Sequence, residues 1–327
     1  MKVLLGRLLF VAVFGAISCS CFAAGKLVTI AIIPKGTTQE FSQALHAGAI
    51  KAQQELVAQG INVRLLWRGP MSGDDYKTQI EWMDNYTARR VDGLVLDPAD
   101  SKELVASAEF ATGAGVPVVV IDSKLQTEKI TAFIGSDQFR AGQKAGEYLG
   151  KLMNGLGNAM ILRGPTGSNS TGEREAGFLS AITNQFPSIK ILSTTNRAGG
   201  TLDSALLAAK QSLAQFDGKV NGVFASSEQT TVAMLRALRE IQKAGGIVKL
   251  VGFDAAQESV EALQKGELQG LMVQNPVNMG YLAVKTAVTA SQRGKVSPKI
   301  NSDFVLITQE TSVLEANKEL LHPAFAP

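Results

Sequence analysis

Two stretches of similar pattern, LVTIAIIP at residues 27–34 and NAMILRGP at residues 158–165, decide the fold. Both are apolar runs that end in a proline, Pro34 and Pro165. The sequence VDGLVL at 91–96 is echoed at almost the same offset by VNGVFA at 220–225, and the strand-ending Asp122 is echoed by Asp254. Three near-constant offsets in the same order predict two similar halves packed side by side.

Short apolar runs rich in β-branched residues alternate with longer segments whose apolar residues recur at helical spacing. This alternation is typical of parallel strands joined by covering helices. The sequence therefore predicts an α/β fold of two similar doubly wound parallel-sheet domains joined by hinge strands. Predicted strands occupy 27–33, 61–67, 93–96, 116–121 and 304–308, and predicted helices occupy 41–59, 74–90, 102–114 and 277–291.

The predicted domains interleave along the chain. Residues 25–136 plus 275–303 form an N-terminal ligand-binding lobe, and residues 137–274 plus 304–327 form a C-terminal ligand-binding lobe. No linker rich in Pro, Ser or Gly separates them, so we expect a strand near 130–136 to lead directly from one lobe to the other. Several short crossings would confine relative motion to a hinge, the geometry of ligand-dependent closure.

The segment 1–24 has the pattern of a signal peptide, with two basic residues, an apolar stretch at 8–17 and small residues at Ala23 and Ala24. We expect cleavage near these alanines and export to the periplasm. A transmembrane helix would need about 20 apolar residues. In the alternative reading Cys19 carries a lipid anchor, but the residue three positions before it is Ala16 and not leucine.

Composition argues against several functions. The 32 basic and 29 acidic residues give a net charge of +3, too balanced for a nucleic-acid partner. His46 and His322 are the only histidines, so no Ser/His/Asp or metal-ligand cluster can be assembled, and no phosphate-binding loop is present. We therefore expect no catalysis, no metal and no cofactor. An exported α/β hydrolase or lyase with Asp122 and Asp254 as acid and base is the alternative from another class.

In an open parallel sheet, ligands bind beyond the carboxyl ends of the strands. In this sequence the segments after each predicted strand are strongly polar. Two such clusters, one per half, would face each other across a cleft and suit a small polar ligand. They comprise residues 34–41, 67–73, 97–101, 122–124, 164–171, 226–228, 254 and 274.

Several motifs carry a family resemblance. GLVLDP at 93–98, PVVVID at 117–122, EREAGF at 173–178 and VGFD at 251–254 follow one another as in the ribose-binding protein family. That family is the type I periplasmic binding proteins, related to the lactose-repressor core, and the similarity covers nearly all of the chain after the signal peptide. The resemblance implies that the ligand is hydrogen-bonded by Asp122, Arg174, Asp254 and Gln274 and packs near Phe41.

The sequence also departs from that family. Lys35 and Gln39 occupy first-loop positions where ribose binders carry Ser and Asn, and Asp97 and Ser227 replace two asparagines. These departures point away from D-ribose itself and towards another sugar or polyol. Trp67 could offer an aromatic face to a sugar or pack on a helix as a rim residue. The predicted ligand-binding set is Lys35, Gln39, Phe41, Trp67, Asp97, Asp122, Arg174, Ser227, Asp254 and Gln274.

Other roles stay open for some of these residues. Asp122 and Asp254 could cap helices, Arg174 could form a surface ion pair, and Lys35 could pair with a neighbouring carboxylate. The resemblance implies a monomer whose closed form is recognised by the membrane permease of an ATP-binding-cassette importer. A receptor for the sugar-like signal autoinducer-2, presented to a sensor kinase or chemoreceptor, is the alternative, because IPK at 33–35 resembles that branch.

Overall fold

A computed structural model describes residues 26–193 and 195–323. The predicted signal peptide and both cysteines lie outside the described residues. Within the described part of the chain, no helix is both long enough and apolar enough to cross a membrane. Two six-stranded sheets organise the described residues.

The first sheet is parallel throughout. Its strands lie in the order β11-β5-β4-β3-β1-β2. Their bounds are β1 (Val28–Ile33), β2 (Val63–Trp67), β3 (Gly93–Leu96), β4 (Val118–Ile121), β5 (Ala132–Gly135) and β11 (Lys299–Asn301).

The second sheet repeats this order position by position, as β12-β10-β9-β8-β6-β7. Its edge strand β12 is antiparallel to β10, whereas β11 is parallel to β5. The bounds are β6 (Gly157–Leu162), β7 (Ile189–Ile191), β8 (Gly222–Ala225), β9 (Lys249–Phe253), β10 (Gly270–Gln274) and β12 (Phe304–Ile307). The predicted fold class, two doubly wound α/β domains, is confirmed.

Ten helices cover the two sheets in the described residues. We call the first sheet with α1, α2, α3 and α9 the N-terminal lobe, and the second sheet with α4 to α8 and α10 the C-terminal lobe. The helices are α1 (Glu40–Ala58), α2 (Tyr76–Ala88), α3 (Val105–Gly113), α4 (Gln138–Leu152), α5 (Asn169–Gln185), α6 (Leu202–Gln215), α7 (Glu228–Glu240), α8 (Gln257–Gln264), α9 (Pro276–Ser291) and α10 (Glu315–Leu321).

The central strands are apolar on both faces because helices cover both faces of each sheet. In β1, Ile30 and Ile32 pack with α1 and α9, while Ala31 and Ile33 pack with α2 and α3. This alternation follows from the two-residue period of a strand. All four side chains are buried, so β1 anchors the core of the N-terminal lobe.

The chain crosses between the lobes three times: from β5 to α4, from β10 to α9 and from β11 to β12. Two of these crossings end in a helix cap. The Asp137 carboxylate accepts a hydrogen bond from the Arg140 N–H at 2.9 Å, and the Asn275 side chain accepts one from the Asn278 N–H at 2.9 Å. Each cap satisfies a free N–H at a helix start and fixes the direction in which the chain leaves the crossing.

Each lobe also contains a pair of helices in very close contact. A side chain at Gly48 of α1 would collide with the carbonyl oxygen of Val277 in α9, and one at Gly280 of α9 would collide with that of Leu45. The α4–α5 pair of the C-terminal lobe relies in the same way on Gly142 of α4. Glycine therefore sets the spacing between the helices in both halves.

Replacing Gly48 by alanine should lower the free energy of unfolding by about 2 kcal/mol or more, because the new methyl group forces α1 and α9 apart. Gly113→Ala is the matched control, since a Cβ at this helical glycine has no neighbour within 4 Å. The control should be neutral or stabilising by up to about 1 kcal/mol, from the better helix propensity of alanine. Urea unfolding followed by circular dichroism measures both. Equal stability of the two variants would contradict the close contact.

Candidate functional site

A cavity of about 50 Å³ lies between the two lobes, at the carboxyl ends of the strands of both sheets. This is the position at which open parallel sheets bind ligands. The residues that line it are almost all polar: Lys35, Gln39, Phe41, Gly73, Asp122, Pro165, Ser168, Ser170, Thr171, Arg174, Ser227, Glu228, Gln229, Asp254 and Gln274.

Eight of the ten predicted site residues line this cavity. They come from both lobes and from segments that lie far apart along the chain. The eight are Lys35, Gln39, Phe41, Asp122, Arg174, Ser227, Asp254 and Gln274.

Asp122 and Asp254 occupy equivalent places in the two lobes. Each directly follows the fourth strand of its half along the chain, β4 or β9. Both have left-handed backbone conformations, with φ of 55° and 65°. Aspartate tolerates this region better than most residues, and such strained positions cluster at ligand clamps. Neither aspartate caps a helix through its side chain, so the alternative role as an N-cap is not what the fold uses.

Five charged side chains of alternating sign form a continuous row from one lobe to the other. Lys35 lies 3.4 Å from Asp97 and 3.2 Å from Asp122. Arg174 lies 3.3 Å from Asp122 and 3.9 Å from Asp254. Arg174 is 3% exposed, which excludes a surface ion pair. A buried charge is tolerable only when it is paired, so each of the two cations holds two carboxylates.

Burial and neighbouring charges shift the pKa values of this row in different directions. Burial raises the pKa of Asp97 to about 7, and it also raises that of Asp254. Burial opposes the charges of Asp122 and Lys35 as well, but their charged neighbours dominate. Lys35 and Arg174 lower the pKa of Asp122, and the two carboxylates raise that of Lys35.

Two glutamines next to the chain crossings complete the polar network. The Gln138 amide nitrogen donates to Asp122 Oδ1 and to Gln274 Oε1, both at 3.0 Å, and its carbonyl oxygen accepts from Arg174 Nε at 2.8 Å. Gln274 in turn donates to Asp254 Oδ1 at 3.1 Å. The Arg174 guanidinium also stacks 3.7 Å above the Phe253 ring. The contacts with Gln138, Asp122 and Phe253 therefore hold the Arg174 side chain in one position.

Two predicted site residues lie elsewhere. The Trp67 ring stacks on His46 of α1, with ring centroids 4.2 Å apart, and does not reach the cavity. Of the two roles left open for Trp67, the structure shows packing on a helix, because Trp67 is still part of β2 and its side chain points to a face of the sheet. Asp97 lies buried behind Lys35, so it orients that lysine and does not line the cavity.

The predicted set missed seven other cavity residues, although six of them lie in segments that the strand-end rule nominated. The Lys35 ammonium donates to Ser170 Oγ at 3.3 Å, and the Ser170 N–H donates to Ser123 Oγ at 3.1 Å, so this segment links the lobes. Glu228 was also missed. Its carboxylate is buried, which raises its pKa to about 8. Gln138 closely follows β5, so the same rule would have found it.

The side chains of the cavity are suited to hydrogen-bonding a polar molecule. In the described part of the chain, no group of three or more His, Cys, Asp or Glu residues is arranged to hold a metal ion. His46, whose pKa is lowered by burial, is stacked on Trp67. Carboxylates, a guanidinium, an ammonium and hydroxyls together offer both acceptors and donors to a molecule with several hydroxyl groups.

Comparisons with known proteins agree with this architecture. The chain is 26% identical over 83% of its length to a xylitol-binding protein of Mycolicibacterium smegmatis, covering 78% of that protein. It is 26% identical over 86% of its length to the ribose import binding protein of Escherichia coli, covering 91% of it. A carbohydrate transporter solute-binding protein of Agrobacterium radiobacter, solved with D-arabinose, superposes with a TM-score of 0.84 at 28% identity, over 90% of this chain and 99% of that one.

The family model described as "Periplasmic binding protein domain" matches residues 30–295. This range includes both sheets except the start of β1 and the edge strands β11 and β12, and it contains all the residues that line the cavity. With the duplicated sheets and the polar cleft between them, this match shows that the chain belongs to the periplasmic binding protein domain family.

Proposed function

We propose that this protein binds a neutral sugar or polyol between its two lobes as the periplasmic substrate-binding component of an ATP-binding-cassette importer. The observation that carries the proposal is the buried row Asp122–Arg174–Asp254, which joins both lobes at the cavity. Relatives named for xylitol and ribose, and a structure solved with D-arabinose, support the ligand class.

The charges of the cavity favour a neutral ligand. Lys35 and Arg174 are each shared by two carboxylates, and Glu228 adds a further acidic group to the lining. An acidic sugar would bring another negative charge next to these carboxylates. Hydroxyls, by contrast, can accept from the cations and donate to the carboxylates. Phe41 offers an apolar surface to the carbon skeleton.

The same charged side chains explain why a ligand would close the two lobes. In an open cleft the carboxylates and the guanidinium are hydrated, and a ligand that replaces this water favours the form in which the lobes meet. The closed form would then be what the membrane permease recognises. We infer a monomer that reaches the periplasm by means of the signal peptide at residues 1–24, and we infer that the ligand leaves unchanged, with no catalysis.

A thermal-shift screen of pentoses, hexoses and polyols, including xylitol, D-ribose and D-arabinose, tests the ligand class. A ligand at 100 times its dissociation constant should stabilise the protein by about 2.7 kcal/mol. Chromatography after prolonged incubation should recover the sugar unchanged. A panel without any stabilising sugar, or conversion of a sugar, would contradict the proposal.

Arg174→Ala should weaken the binding of a sugar that stabilises the wild type by about 2 kcal/mol or more, because truncation leaves buried carboxylates without their partner. Arg236→Ala is the matched control, since Arg236 forms an exposed ion pair with Glu258 on the outside of the C-terminal lobe. Isothermal titration calorimetry measures both affinities. Equal affinities of the two variants for the sugar would show that Arg174 does not contribute to ligand binding.

Affinity should also depend on pH through Glu228. Its pKa is about 8 in the closed arrangement, above the ordinary value of 4.5 that hydration in an open cleft would restore. A raised pKa favours closure at low pH, and this contribution is lost as the pH rises from about 4.5 through 8. Titrations between pH 5 and 9 should show a declining affinity that Glu228→Gln flattens. An affinity that rises with pH would contradict this role. So would a decline in Glu228→Gln as steep as the decline in the wild type.

A further inference from the structure

Two helices that face the cleft start without a cap from their own chain neighbours. The residue before α1 is Gln39 and the residue before α8 is Ala256, and neither side chain accepts a hydrogen bond from its helix. Free N–H groups at a helix start need an acceptor when they are buried. In both helices the acceptor comes from the opposite lobe.

Glu228 supplies the cap for α1. It is the first residue of α7 in the C-terminal lobe, and its two carboxylate oxygens accept from the N–H groups of Glu40 at 3.0 Å and Phe41 at 2.7 Å. Its own helix does not need it, because Ser227 and Thr230 cap α7 reciprocally. The Glu228 carboxylate therefore caps a helix of the other lobe and not its own helix.

Glu40 supplies the cap for α8. It is the first residue of α1 in the N-terminal lobe, and its carboxylate accepts from the Gln257 N–H, at the first residue of α8, at 2.9 Å. Glu40 thus accepts one cross-lobe hydrogen bond with its side chain and donates another from its backbone N–H. It lies outside the set of residues that line the ligand cavity.

We propose that Glu40 and Glu228 are a reciprocal pair of cross-lobe helix caps that sets ligand affinity by stabilising the closed arrangement of the lobes. The inference rests on the proposed function for its biological role. Its physical content does not, because the caps join the lobes through protein groups alone. Separation of the lobes transfers these N–H groups and carboxylates to water, so the caps act on closure and not on folding of either lobe.

The two caps should differ in strength. The Phe41 side chain is buried in the closed arrangement, whereas Gln257 is exposed. A buried donor left without its acceptor costs more than one that water can reach. Loss of the Glu228 side chain should therefore disturb closure more than loss of the Glu40 side chain. Because burial raises the pKa of the Glu228 carboxyl, its neutral form favours closure more than its ionised form does, and the neutral carboxyl can still accept a hydrogen bond from the start of α1.

The test measures the lobe distance without any sugar. Spin labels at Lys77→Cys on α2 and Asp203→Cys on α6 flank the cleft mouth, where the Gly200 N–H donates to Asp74 at 2.9 Å. Protein purified after export is used, because the predicted cleavage removes Cys19 and Cys21, the only cysteines of the sequence. Double electron–electron resonance then gives the populations of short and long distances.

In the ligand-free protein, Glu228→Ala should raise the ratio of open to closed forms about tenfold, and Glu40→Ala should raise it severalfold. Glu315→Ala is the matched control, since Glu315 is also the first residue of its helix but is exposed on the outside of the C-terminal lobe. Circular dichroism should give the same helix content for all variants. Glu40→Gln, which keeps an acceptor oxygen, should lie closer to the wild type than Glu40→Ala.

Distance distributions that stay unchanged in both Glu228→Ala and Glu40→Ala would overturn the inference. So would an equal change in the Glu315→Ala control. A thermal-shift screen of the same variants with xylitol, D-ribose and D-arabinose separates this inference from the proposed function. If no sugar stabilises any variant but the distances still shift, the sugar-binding role fails and the cross-lobe caps stand.

Discussion

The arrangement of this protein depends on one buried cation shared between its halves. Arg174 belongs to the C-terminal lobe, yet its nearest carboxylate, at 3.3 Å, is Asp122 of the N-terminal lobe. A buried charge that loses its partner costs several kcal/mol. The lobes can therefore meet only where this pairing forms, and they can separate only where water or another polar molecule replaces it. The position of the cleft and the chemistry it can recognise both follow from that constraint.

Around this shared cation, the duplication of the fold is almost complete. Both sheets have the same strand order, and β4 and β9 are each followed by an aspartate with positive φ. The arginine breaks the symmetry, because it comes from one half only, and Lys35 comes from the other. A small molecule between the lobes would thus meet similar acceptors on both sides but different donors. This difference between the donors of the two lobes can give the bound molecule a single orientation.

Much of this was predictable from the sequence, because the deciding signals were local. Apolar runs at β1, β3 and β4 and the near-constant offsets between the halves were sufficient for the fold class. The rule for strand ends was sufficient for seven of the eight predicted cavity residues, and the family resemblance supplied the eighth, Arg174. The sequence left two roles open for Trp67, and it packs on a helix because a residue at the last position of a strand still points to a face of the sheet. The rule applies to residues that follow the strand.

What the sequence could not provide were contacts between distant segments. The bond from the Glu40 N–H to Glu228 spans 188 residues, and nothing near either residue indicates it. The same holds for Gln138, which bridges Asp122 and Gln274 from a position after a crossing. A local pattern can nominate a polar side chain. Only the packing of the lobes decides which partner it finds.

The three crossings also govern the order in which the molecule can be assembled. The N-terminal sheet receives its covering helix α9 and its edge strand β11 only from residues 276–301, after the whole of β6 to β10. Until that late segment arrives, the face of β1 that carries Ile30 and Ile32 lacks half of its cover. Contacts between remote segments form slowly. The N-terminal lobe can therefore complete its core only after most of the chain has been made.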